Sequence, residues 1–327
     1  MSECFAVGGS AGAQRRTATR EHMPALDARR KLQLALSVIW LLDGVLQYQP
    51  FMFSKAFPQM LAGTAQGNPT FVAHPIAWSS ALIVHHLVAV NSVFATVQVA
   101  LGLGIAFRPA VKAALAASFL WALGVWWFGE GLGAVLTPNA SPLNGAPGAV
   151  ILYALLAVLL WPADRDSTAP FVAGHAVGRR AAHGLWLVLW ASLALFALMP
   201  ASRAPKTISG FFTSMASGQP GWLAWIDSRA ASLVGNQGLL ASIVLAVALG
   251  LVAVGTYLPV PAARAAIVLA IVLAVVIWLA EGMGGIFTGG GTDPNSGPLL
   301  ALLAVAYWPA AASGSGVLGS AVPAEGA

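Results

Sequence analysis

The 327 residues are 58% hydrophobic and only 8% charged, with a mean hydropathy of +0.79, whereas roughly a quarter of the residues of an ordinary soluble domain are charged. A water-soluble core cannot hide that much apolar surface, so lipid has to cover much of it, and the net charge of +5 sits beside apolar runs rather than in a nucleic-acid patch. The single cysteine, Cys4, excludes an intrachain disulfide and any all-cysteine metal or iron–sulfur site.

Residues 1–31 hold Arg15, Arg16, Arg20, Arg29 and Arg30 but no early apolar run, which argues against a cleaved signal peptide and reads as a mobile, basic cytoplasmic tail. Leu32 to Gln49 is the first apolar run, broken by Asp43 and Gln47 and closed by Pro50; about 18 residues just cross a bilayer at about 1.5 Å per residue. Phe51 to Met60, with Lys55 among it, predicts a short helix in the outer interface, and Gly63 to Pro69 supplies the breakers of a structured loop. From Phe71 an approach segment carrying His74, His85 and His86 feeds a second span over Leu87 to Phe107, and Arg108 and Lys112 mark the return to the basic side. Ala113 to Val135 is a third span, Leu136 to Pro147 an outer loop, and Gly148 to Trp161 a short fourth span. Residues 162–183, with Asp164, Arg165, Asp166, Arg179 and Arg180, read as a cytoplasmic linker, residues 184–311 as a second membrane unit, and residues 312–327 as a flexible tail.

The second unit repeats the first, residues 32–161, in its landmarks. Trp127-Phe128-Gly129-Glu130-Gly131-Leu132-Gly133 and Trp278-Leu279-Ala280-Glu281-Gly282-Met283-Gly284 share Trp-x-x-Glu-Gly-x-Gly. Each copy follows a Pro-Ala-x-basic-Ala-Ala start, at Pro109 and Pro261, and leads to Pro-Asn, at Pro138 and Pro294. Pro50 answers to Pro200, and Trp161-Pro162-Ala163 to Trp308-Pro309-Ala310. The expectation is an all-α polytopic membrane protein of eight transmembrane helices, arranged as two parallel four-helix repeats with structured outer loops. Both termini then lie in the cytoplasm of a plasma or inner membrane. That places Arg15, Arg16, Arg20, Arg29, Arg30, Lys31, Arg108, Lys112, Arg165, Arg179, Arg180 and Arg264 inside, against Lys55, Arg203, Lys206 and Arg229 outside.

An acid within hydrocarbon costs about 2.5 to 3.5 kcal/mol even on insertion scales, so Asp43, Glu130 and Glu281 should face the bundle and find partners. Asp43, His85, His86, Asn91 and Glu130 form the candidate polar cluster of the first unit, with Glu281 the counterpart of Glu130. Two readings stand: a proton relay or outward-opening pocket for a polar ligand or quinone head group, and local anchoring of the glutamates to loop amides or Trp indoles. Asp43 aligns with Leu193, and His85-His86 has no histidine counterpart, a pattern that a site built in one half with the other as scaffold would give, and that simple drift would give as well. A haem would need an axial histidine facing a cavity, and copper or zinc further ligands such as Asp43 or His74. Adjacent histidines on a helix diverge by about 100°, so His85 and His86 cannot both hold one ion, and no metal site is assigned.

Asp43-Gly44 in the early span, Phe53-Ser54-Lys55-Ala56-Phe57 after it, and Ala100 to Arg108 with its two glycines and closing basic residue resemble the DoxX-like membrane proteins. That family includes the DoxD subunit of thiosulfate:quinone oxidoreductase. The resemblance spans residues 32–161, with a more divergent copy through Trp308, and implies a fused pair of four-helix units. It also implies contact of Lys55 and the outer loop with substrate or quinone, and service in a redox chain; Asn91 or Gln98 stands near where the family carries an acid. Three functions follow: an accessory or quinone-linked subunit of a respiratory or sulfur redox system, a small-solute or proton-coupled transporter, and a structural or assembly partner. A membrane redox partner or a second copy of the chain would accompany the first; lipid surrounds all three.

Overall fold

The structure, a computed structural model, describes the backbone of residues 10–310 and the side chains of residues 28–310. Residues 1–9 of the expected basic tail, residue 311 and the whole expected C-terminal tail, residues 312–327, lie outside the described residues. The described chain is all-α. Its first half holds α1 (Ser10–Leu46), α2 (Ala56–Gly63), α3 (Thr70–His85), α4 (Leu87–Ala106), α5 (Val111–Phe128) and α6 (Ala149–Leu159), followed by the short α7 (Val172–Val177). The second half holds α8 (Arg179–Ala197), α9 (Pro200–Arg203), α10 (Thr207–Ala216), α11 (Gly221–Val234), α12 (Gly238–Gly255), α13 (Val260–Ala280) and α14 (Ser296–Ala306).

Local chemistry sets these limits. Helices α3 and α11 start directly after Pro69 and Pro220, whose missing N–H costs nothing at a helix start. Helices α4, α5, α12 and α13 are apolar on all sides, the pattern of segments that are covered by lipid where they are not covered by protein. Leu120 of α5 and Val247 of α12 accordingly present 68% and 57% of their surface outward.

The structure overturns the eight-span arrangement. Among the described residues, five helices are long and apolar enough to cross a membrane: Leu87–Ala106, Arg108–Phe128, Arg179–Ala197, Gly238–Gly255 and Val260–Ala280. The chain is a multi-pass membrane protein, but not one of two four-span repeats. Helices α6 and α14 have 11 residues each, about 16 Å of helix against a hydrocarbon core of about 30 Å. The described part of α1 carries Arg29, Arg30, Lys31 and Asp43, too many charges for a spanning window. Residues that the sequence assigns to the ends of the third and fourth spans instead form turns and buried irregular chain.

Packing order recurs between the halves. In the first, α1 lies on α4, α4 on α5 and α5 on α6; in the second, α8 lies on α12, α12 on α13 and α13 on α14. Helices α6 and α14 pack on each other, α1 also meets α14, and one apolar core runs through both halves. Trp40, Tyr153, Trp186, Trp190 and Tyr307 are its largest buried side chains. The two ends of the bundle differ. At the arginine end, Arg30 caps α4 by donating to the carbonyls of Ile105, at 2.8 Å, and Ala106, Arg29 pairs with Asp164 at 2.5 Å, and Gln33 donates to the Leu160 carbonyl at 2.9 Å. The opposite end holds both Glu-Gly-x-Gly turns, and is called the acid end below.

Candidate functional site

The site is assembled on α1, α5 and α6 with one contribution from the second half. Trp40 and Asp43 lie about one turn apart on α1, so both face the same neighbour. The Trp40 ring lies 4.2 Å from that of Tyr153 on α6, and the Trp40 indole donates to the Ser118 hydroxyl of α5 at 3.1 Å. Beside this stack the Tyr153 hydroxyl donates to Asp43 Oδ2. Asp43 and Tyr153 are 2% and 1% exposed, yet Asp43 Oδ1 has no hydrogen-bond partner. Just past the end of α1, Gln47 donates to the Asn91 side chain, and Asn91 donates back to the Gln47 carbonyl at 2.8 Å. That exchange satisfies two buried amides and welds α1 to α4.

Glu130 is placed by a left-handed turn. Gly131, Leu132, Gly133 and Ala134 all have positive φ, from 55° to 60°, a conformation that costs most residues of order 1–3 kcal/mol and glycine almost nothing. Its missing side chain also matters: a Cβ on Gly133 would stand 1.9 Å from the Pro147 carbonyl oxygen. The turn can therefore lie flat on the segment that enters α6. Two anchors result, since the Trp126 indole donates to the Pro147 carbonyl at 2.7 Å and the Val150 amide donates to the Glu130 carboxylate at 3.2 and 3.3 Å. A carboxylate at the first turn of α6 suits the positive end of that helix.

The second half repeats the construction. Gly282 to Gly285 have φ from 51° to 68°, the Trp278 indole donates to the Pro294 carbonyl at 2.6 Å, and the Ser296 hydroxyl donates to Glu281 at 2.6 Å. Both glutamates thus hold the start of the helix that follows, which is the anchoring role the sequence allows them. The indoles of Trp126 and Trp278 go to proline carbonyls and that of Trp127 to the Phe71 carbonyl, none of them to the acids.

The first half carries a cavity beside the Asp43–Tyr153 pair. Its volume is about 380 Å³, and it is lined by Asp43, Tyr153, Glu130 and Trp40 with the apolar walls Phe57, Ile83, Phe94, Trp121 and Phe128. Phe94 and Trp121 meet edge to face at 5.4 Å. Gln98 also lines it, and its Oε1 is buried without a partner. Thr292 and Asp293, from the loop between α13 and α14, reach it from the other half. Burial holds the Asp293 carboxyl above the usual carboxylate range, against the opposing pull of the Thr292 hydroxyl and the Asn295 amide. Gly124 stands in the cavity wall, and a side chain added there would meet open space.

Of the residues singled out in the sequence, Asp43 and Glu130 share this cavity. Asn91 is fully buried and spent on Gln47. His85, His86, His74 and Lys55 are exposed and line no part of the cavity, and Glu281 stays with Ser296 on the second half. Among the described residues no group of three or more His, Cys, Asp or Glu side chains gathers as a metal site.

No family model, curated protein or solved structure matches the chain. The site is therefore read from its own geometry. Sequence reasoning missed Tyr153, Trp40 and Asp293, and met Gln98 only as a neighbour of the position where the DoxX-like proteins carry an acid. Tyr153 had a signal: counted back from Trp161-Pro162 and Trp308-Pro309, it aligns with Leu300, as Asp43 aligns with Leu193. Both leucines are buried, at 1%. The polar pair of one half is an apolar pair in the other.

Proposed function

We propose that the first-half cavity binds a small, mostly apolar molecule with a hydrogen-bonding head, drawn from the surrounding lipid, and that a quinone is the class that fits best. The observation that carries this reading is the Asp43–Tyr153 pair in the cavity wall where the second half has Leu193 and Leu300. The same frame packs with leucines there, so the fold has no need of a carboxyl and a phenol at these positions. Burying them costs free energy unless they are used. The volume falls within the range of small-molecule pockets, and the aromatic walls suit a flat ring. Leu120 and Phe128, which line the cavity and are 68% and 40% exposed, mark a side opening toward lipid.

In this reading Asp43 is the protonated acid: its Oδ2 accepts from the Tyr153 hydroxyl, its otherwise unpartnered Oδ1 offers the carboxyl proton to a ligand carbonyl, and a membrane redox partner exchanges the electrons. The chain serves as a quinone-linked component of a redox system in the plasma or inner membrane, in keeping with its resemblance to the DoxX-like proteins. The basic bias puts the arginine end in the cytoplasm and the cavity toward the outer leaflet. Transport of a small solute is the second reading, favoured by the presence of Thr292 and Asp293 at the cavity, since a chamber touched by both halves can open when they move.

The test uses the full chain in lipid nanodiscs and a short-chain ubiquinone, with quenching of the fluorescence of Trp40 and Trp121 as the signal. Saturable quenching is expected for the wild type. Gly124→Leu, which fills the cavity from its wall, weakens binding by about 10- to 100-fold, as displacement of a buried head group from charged or polar partners does. No saturable quenching in the wild type, or unchanged quenching in Gly124→Leu, ends the quinone reading; uptake of a solute into vesicles that depends on Asp43 then selects the second.

A further inference from the structure

A second cavity, of about 510 Å³, lies at the acid end and has the opposite character. Gln66, Thr137, Asn139, Asn144 and Asn295 line it, amides and hydroxyls that suit water and ill suit lipid. It shares three residues with the apolar cavity: Met60, Thr64 and Glu130. Met60 has no proton to exchange. The Thr64 hydroxyl is committed to the carbonyls of Leu61 and Gly129, at 2.8 Å each. Glu130 is thus the titratable group common to both cavities. Its carboxylate has the Val150 amide as its hydrogen-bond donor and lies against Gly148, where an added Cβ would come within 2.3 Å of Oε2. The backbone leaves room there for that carboxylate and little else, and Glu130 nevertheless stays partly exposed.

We propose that Glu130 is the proton relay between water in the polar cavity and the Asp43–Tyr153 pair in the apolar one. The idea rests on the reading of that pair as the ligand-facing proton donor. The other titratable side chains at the two cavities are Asp43 of α1, Tyr153 of α6 and Asp293 of the loop before α14. When Asp43 gives its proton to a bound ligand, Glu130 passes its own to Asp43 through water in the cavity, and then takes one from the polar side. One proton enters from water for each proton delivered, and no bond between heavy atoms changes. Glu281 lines neither cavity and carries no such role, although it shares the motif and the helix-start anchor. Duplication of the motif explains the fold; the second cavity explains why one copy conducts.

The experiment reads access and transfer separately, on the full chain in nanodiscs. A water-soluble carbodiimide with glycine ethyl ester should modify Glu130 and spare Asp43, whereas lipid-soluble dicyclohexylcarbodiimide should modify both, as mapped by peptide mass spectrometry. Modification of Glu130 by the lipid-soluble reagent alone, or by neither, overturns the proposal with no variant needed. For transfer, the infrared carboxyl band assigned with Asp43→Asn is followed after mixing into heavy water. Glu130→Gln should slow its exchange by about 100-fold, the lower end of what a positioned proton donor contributes, and Glu130→Asp should restore part of it. Exchange at the wild-type rate in Glu130→Gln also overturns the relay. Neither readout involves a ligand, so absence of quinone binding would fail the functional reading while leaving the labelling pattern to decide this one.

Discussion

At the scale of single residues, the comparison of Asp43 and Tyr153 with Leu193 and Leu300 turns a contact into a measurement. Tyr153→Phe leaves a buried carboxyl with neither oxygen paired, and should lower stability by about 2 to 3 kcal/mol in thermal unfolding in detergent. Replacing both partners, Asp43→Leu with Tyr153→Leu, should recover most of that loss while abolishing quinone quenching, because two apolar groups leave no orphaned donor or acceptor. Asp43, Glu130 and Glu281 were legible in the sequence because an ionisable group in an apolar run is costly wherever it occurs. Tyr153 was not, since a phenol passes in such a run without penalty and only its partner gives it meaning. His85 and His86 drew attention by type alone. They fall where α3 ends and α4 begins, with His86 at φ −131° outside either helix, and this junction turns both side chains outward.

Elements show the same contrast between recurrence and substitution. The two Glu-Gly-x-Gly turns were visible as a motif, but their left-handed path was not, because glycine permits positive φ without requiring it. Gly133→Ala should destabilise the acid end by about 3 kcal/mol or more, adding a backbone clash with Pro147 to the conformational cost; loss of amide protection confined to α5 and α6 would register it. Helices α3 and α11, both set off by a proline, place Ile76 and Asp227 at the same step, and both residues are fully buried. Neither Asp227 oxygen has a hydrogen-bond partner, and burial pushes its carboxyl up to about 6. The folded state therefore favours the neutral acid. Its contribution to stability is complete below the unfolded value near 4 and is lost as the pH rises through about 6. Amide protection factors in α10 and α11, which correct for the pH dependence of intrinsic exchange, should be higher at pH 4.5 than at pH 7, and Asp227→Asn should remove the difference. Asp227→Ile should instead raise the melting temperature at pH 7, by restoring the side chain that the other half uses.

Across the whole molecule, hydropathy and repeat gave membrane character and the order of helices but overstated the number of crossings. Composition reports how apolar a stretch is, not whether it stays helical: Gly148 to Trp161 and Pro298 to Trp308 are apolar enough, but each helix is only 11 residues long. The contribution of Thr292 and Asp293 across the halves was equally out of reach, being a matter of how α6 and α14 dock. That docking has a mechanical corollary. A chamber walled by one half and closed by a loop of the other works as a joint, and whatever occupies it acts as a strut between the two lobes. By reciprocity, stiffening the joint from outside must tighten the hold on the occupant as much as the occupant stiffens the joint.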